Sequence, residues 1–158
     1  MKKKTKFVIE PFDDIKIIGI NTTMYDYQLA WNINKITKIN LVKYKDISSE
    51  DDNLFSFYLY DAGENSNTFN LVALSNQETK WVTFSPQTDY LLIIRNYLKE
   101  SDFLSLLQKI KSIPKVVHAY VVDLGKNKKI DTILEDIELH EMNIFDEMNY
   151  RPKIKGES

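Results

Sequence analysis

The chain has 158 residues, a formal net charge of −2, and 43% hydrophobic against 28% charged side chains. That is the balance of an ordinary globular protein, long enough to bury roughly 68–70% of its unfolded surface in one domain. A pI near 5.7 gives no general electrostatic case for nucleic acid or an anionic membrane. The lack of cysteine excludes a disulfide framework, a thiolate nucleophile and cysteine-ligated metal.

The basic start, Lys2 to Lys4 and Lys6, is followed by Phe7, Val8 and Ile9 and then by Glu10 and Pro11. That is too short for a signal-peptide apolar region, and no apolar run approaches the roughly 20 residues that span a bilayer. A cytoplasmic protein without membrane contact is expected. Thr5 to Ile9 reads as a first strand ended by Pro11, and Ile15 to Ile20 as a second. Gly19 inside the second strand suggests a bulge or the close approach of another backbone.

Thr23, with Asp26 three residues on, approximates a capping box and opens a first helix to about Thr37. Gln28, Asn32 and Lys35 form its wet face. Tyr27, Leu29, Ala30, Trp31, Ile33 and Ile36 cover most of the rest. Asp26 and Asn34 fall inside that apolar arc and are the first candidates for buried polar groups.

Leu41 to Tyr44 is a short strand, and Ser48 to Asn53 a loop by composition. A hairpin follows, with arms Leu54 to Tyr60 and Thr68 to Leu74 of alternating polarity. The stretch Lys80 to Tyr97 is the densest β-branched and aromatic cluster. It reads as strands Trp81 to Phe84 and Tyr90 to Ile94 around the turn Ser85-Pro86-Gln87. Leu91 to Ile94 has no polar face, so this strand is expected at the centre of a sheet, covered on both sides.

Ser101 caps a second helix in which Phe103, Leu104, Leu107, Ile110 and Lys111 keep helical spacing, and Pro114 stops it. Val116 to Leu124 reads as a last buried strand. From Lys129 to about Met142 a third helix puts Ile130, Ile133, Leu134, Ile137 and Met142 on one side. Asp131, Glu135, Asp136, Glu138, Glu141, Asp146 and Glu147 follow with no Lys or Arg between them.

These elements predict an α+β fold, with a mainly antiparallel sheet of about six to eight strands, because hairpin-length connections forbid parallel returns. Two helices would pack on it, and one crossover could add a parallel neighbour. Residues 1–128 form a single domain, 129–147 an amphipathic acidic helix packed on it, and 148–158 a flexible tail.

Chemistry is poorly marked. His118 sits in a Val-rich strand and is expected to be a neutral, structural histidine. His140, with Asp136 one turn away, is expected on a solvated helix face. Neither makes a metal site, which wants three protein ligands. The four glycines are too far apart for a phosphate loop, and no nucleophile elbow or metalloprotease helix occurs. No catalytic residue, metal or cofactor is therefore assigned, and the balance leans away from an enzyme.

Two features stay open. Asp26, Trp31 and Asn34 read either as a polar pocket under an aromatic lid, able to hold a small ligand, or as capping, core packing and backbone satisfaction. The acidic helix reads either as a solvated face or as a surface for a basic protein partner or a second copy. Tyr58, Tyr60 and Trp81 with Lys43, Lys45 and Lys80 imitate an aromatic RNA-binding sheet, but without its characteristic string or charge.

Gly19-Ile20-Asn21-Thr22-Thr23 and the run Asp26 to Lys35 resemble the "GI-x-S … DYRL-x-W-x-LN" segment of the IPExxxVDY family, small uncharacterised proteins of Bacteroidetes. Thr88-Asp89-Tyr90 aligns with that family's Val-Asp-Tyr and Val82 with its opening Ile, while Thr83 and Phe84 stand where it has Pro and Glu. The resemblance spans about residues 6–123. It implies a cytoplasmic bacterial protein and points to Asp26, Tyr27, Trp31, Asp89 and Tyr90, which with Asn34 make the candidate ligand-binding set. The function expected is a non-catalytic protein-interaction module; the alternative is a small-ligand-binding protein or enzyme around Asp26, Trp31 and Asn34.

Overall fold

The hydrophobic alternation resolves into one sheet in the computed structural model, which describes residues 14–49, 51–63, 66–84 and 86–157, with side chains up to 147. The elements are β1 (Lys16–Thr22), α1 (Asp26–Ile36), β2 (Val42–Ser48), β3 (Leu54–Asp61), β4 (Thr68–Ala73), β5 (Tyr90–Arg95), α2 (Glu100–Lys111), β6 (Val116–Val121) and α3 (Lys129–Glu157). Among the described residues six strands lie in the order β2-β3-β4-β5-β1-β6. Every neighbouring pair is antiparallel, and no parallel neighbour occurs among the described residues. The α+β fold expected from the sequence is the fold observed.

The connections explain the order. β1 leaves through α1 to the far edge, and β2 to β5 return as a meander that closes against β1. From β5 the chain crosses through α2 to β6 on the other side of β1.

Leu91, Leu92, Ile93 and Ile94 of β5 are all 0% exposed, because helices cover both faces. Ile18, Ile20, Leu92 and Ile94 pack with α1 and α2 through Leu29, Ile33, Phe103 and Ile110. Ile17, Phe57, Leu91 and Ile93 pack with α3 through Ile130, Ile133, Leu134, Ile137 and Ile144.

Several local expectations give way to longer-range competition. Trp81 to Phe84 is not a strand; only a Ser75–Lys80 bridge remains. β5 offers two edges, and β4 and β1 take them with registers of six and five residue pairs. Trp81 instead stacks on Phe55, with ring centroids 5.1 Å apart. The strand expected at Thr5 to Ile9 lies outside the described residues, as does Ser85. So do the side chains of the tail expected at 148–158, while α3 itself runs through Glu157.

At α1 the capping box shifts by two residues. Tyr25 is the N-cap, and its N–H donates to the Gln28 side chain at 3.0 Å. Thr22 rather than Thr23 closes the entry, its hydroxyl accepting from Met24 N–H. Gly19 makes a close approach, as expected, but to an aromatic ring: a Cβ there would lie 2.7 Å from the Tyr120 ring.

The two histidines exchange their expected places. β6 is an edge strand, so His118 is exposed and stacks on Tyr120. His140 turns inward on α3, and Met142 turns out, with Ile144 filling the core instead. The His140 Nε2–H donates to the Lys45 carbonyl at 2.9 Å, and Phe57 meets the ring edge-on at 4.8 Å.

Burial holds the His140 pKa below its ordinary value of 6.5, against the opposing pull of that hydrogen bond. The folded state therefore binds the proton less readily than the unfolded chain. Its contribution to stability is full above about 6.5 and is lost as pH falls below that value. Urea unfolding at about pH 7.5 and about pH 5 should show a loss that is smaller in His140→Gln. Equal losses in both proteins would remove His140 from the acid response.

Candidate functional site

The surface around α1 gathers most of the residues singled out by the sequence, but it divides them between two depressions. The turn after β1 and the first turn of α1 bring Tyr25 and Tyr27 out of the sheet layer. Their rings stack with centroids 5.8 Å apart and an interplanar angle of 11°. Trp31, one turn further along, is 61% exposed. Tyr27 and Trp31 were expected within the buried arc. Leu29, Ala30 and Ile33 fill the space against the sheet, leaving those larger rings outside.

Met24, Tyr27, Gln28, Trp31 and Asn32 form one wall of a groove of about 610 Å³, and Pro114 and Lys115 form the other. Asn32, expected to be wet, is half-buried, and its amide donates to the Gln28 carbonyl at 2.8 Å. Lys35 lies over the Trp31 ring, its Nζ 4.8 Å from the centroid. The groove therefore has an aromatic wall, a methionine at its base and cationic side chains at its rim.

Asp26 points the other way. Its Oδ2 accepts from the Tyr58 hydroxyl at 2.8 Å and lies 3.3 Å from Lys43 Nζ. Those two residues face each other across β2 and β3, so the sheet presents both to the helix. Partial burial pushes the Asp26 carboxyl up, but Tyr58 and Lys43 outweigh it and hold the pKa below the ordinary carboxylate value. The Tyr58 hydroxyl is pushed well above its usual value by burial first and by Asp26 second.

Tyr90, from β5, donates to the Met24 carbonyl at 2.8 Å, and burial raises its pKa, with the charges of Asp26 and Asp89 adding to the effect. Asp26, Asp46, Ser56 and Tyr90 line a second cleft of about 490 Å³, separate from the Trp31 groove.

The remaining candidates serve the backbone. Asn34 makes a reciprocal pair with Leu41, donating to its carbonyl at 3.0 Å and accepting from its N–H at 2.8 Å. Asp89 accepts from the Thr22 N–H at 2.9 Å and so ties the end of β1 to the start of β5. His118 lies on β6 beside Tyr120, whose hydroxyl is 2.6 Å from that of Thr88. Among the described residues no group of three or more His, Asp or Glu could hold a metal ion. Nor is any helix among them long and apolar enough to cross a membrane.

No family model, curated protein or solved structure matches this chain. The functional reading therefore rests on the surface alone.

What sequence reasoning missed here is direction. The 3.6-residue period gives α1 a broad apolar arc beside the wet face of Gln28, Asn32 and Lys35. A helix lying on a sheet buries only the side that faces it, so some of that apolar surface had to stay out. The pairing of Pro114 and Lys115 with α1 joins residues far apart in the chain, and no local signal announces it.

Proposed function

We propose that this protein is a non-catalytic protein-interaction module, a member of the IPExxxVDY family, that binds its partner along the outer side of α1. The observation that carries the reading is the exposed aromatic row Tyr25, Tyr27 and Trp31 beside a groove lined by Met24 and Pro114. Exposed aromatic side chains beside a methionine match the composition of interface anchors, because a rigid ring buries much area for little lost conformational entropy. The occupant that suits the groove is an apolar segment carrying carboxylates that reach Lys35 and Lys115.

A photo-reactive phenylalanine analogue in place of Tyr27 tests this, with the same group at Lys109 on α2 as the control. A distinct adduct from position 27, absent from position 109 and lost on Trp31→Ala, is expected. The Trp31→Ala variant should weaken binding by at least about 2 kcal/mol, as for a central anchor. Identical adducts from both positions, or none from either, would refute the reading.

A further inference from the structure

The outer face of α3 supplies what the α1 groove lacks. Leu139 (60% exposed), Met142 (61%) and Phe145 (40%) are spaced at i, i+3 and i+6. Each three-residue step moves about 60° round the helix, so the three spread over roughly a third of its circumference, an outward arc that they share with exposed Asp131, Glu135, Glu138 and Asp146. The buried side of α3 uses Ile133, Ile137 and Ile144, with Glu141 turned into the fold. Among the described residues, no element covers this apolar stripe set among acids on the side away from the sheet.

Its counterpart is the aromatic groove with Lys35 and Lys115 at the rim. We infer that the partner of the α1 groove is the α3 outer face of a second copy of this chain, with Leu139, Met142 and Phe145 against Tyr27 and Trp31 and the acids against the lysines. This rests on the reading of α1 as a binding surface and names what it binds. Helix-in-groove recognition sets apolar anchors from one side of a helix into a groove, as the adjacent Leu139 and Met142 at i and i+3 would do, with charges at the rim to set orientation.

The layers of the fold determine the symmetry. α1 packs on one face of the sheet and α3 on the other, so a single chain cannot satisfy its own groove. In a stack, one copy's α3 on its neighbour's α1 leaves a free groove at one end and a free stripe at the other. Such a heterologous contact propagates instead of closing as a dimer.

Light scattering on the full chain and on two variants tests this. The wild type is expected to grow with concentration in multiples of the 18.6 kDa chain. Trp31→Glu removes the groove and Met142→Lys the stripe; both positions are exposed, and circular dichroism checks that each variant folds. Each variant alone should stay at the monomer mass. Their equimolar mixture retains one good groove and one good stripe, and should stop at twice that mass.

A wild type that stays monomeric at every concentration overturns the inference, as do variants that assemble like the wild type or a mixture that stays monomeric. A monomeric wild type whose Tyr27 position still captures a different protein would refute self-assembly while leaving the interaction reading of α1 standing.

Discussion

Glu141→Ala should destabilise the fold by about 3 kcal/mol, the low end for removing one member of a buried ion pair. Both Glu141 oxygens lie 2.6 Å from Arg95 Nη2, and Oε2 also accepts from the Asn70 amide at 2.7 Å. The Glu141 side chain is 7% exposed and that of Arg95 20%, so water compensates the guanidinium only in part. Asn70 is 0% exposed, and its amide would lose the carboxylate as well. Urea unfolding measures the loss. Replacing both charged residues by methionine should recover only the ion-pair share of it, since an apolar pair avoids that desolvation while the buried Asn70 amide still loses its carboxylate. A change in Glu141→Ala below about 1 kcal/mol would show that solvent reaches Arg95 freely.

Phe57→Ala is expected to cost about 3–5 kcal/mol, the range for emptying a buried aromatic site. Phe57 is fully buried in the layer between the sheet and α3 and makes a T-shaped contact with the His140 ring. Against a total of about 5–15 kcal/mol for a domain, that would leave the fold marginal at room temperature. A second readout separates this site from ordinary core loss. With the ring gone, His140 gains solvent, and its pKa should move back toward 6.5, followed by NMR titration of the imidazole. An unchanged His140 titration with a large stability loss would mean that the ring supports the core without shielding the histidine.

The two predictions fall on the interface that was least legible in advance. Leu91 to Ile94 announced a strand covered on both sides, and that is where β5 sits. The Phe55 to Leu59 alternation likewise announced the hairpin arm that became β3. In both cases the signal is local, since strand side chains alternate between faces and a run without polar residues has no face to give to water. The acids of α3 were legible only as a charged helix. That Glu141 would turn inward depends on Arg95 and Asn70, which are 46 and 71 residues away.

The candidate site divides along the same line. Of the two readings open for Asn34, ligand pocket or backbone satisfaction, its side chain bonds to the Leu41 backbone. Asp26, open between a pocket and a helix cap, has its carboxylate held by Tyr58 and Lys43 from the sheet. Trp31, open between a pocket lid and core packing, stands outside the core.

By itself the sequence determined the period of each well-patterned element, the antiparallel pairing and the doubly covered centre of the sheet. These follow from spacing along the chain and from the exclusion of apolar runs from water. The tertiary structure alone decided which apolar faces stay uncovered, which histidine is buried and which acid enters the core. Those depend on whether a remote segment arrives to pay the desolvation cost, as Lys45 does for His140 from 95 residues away.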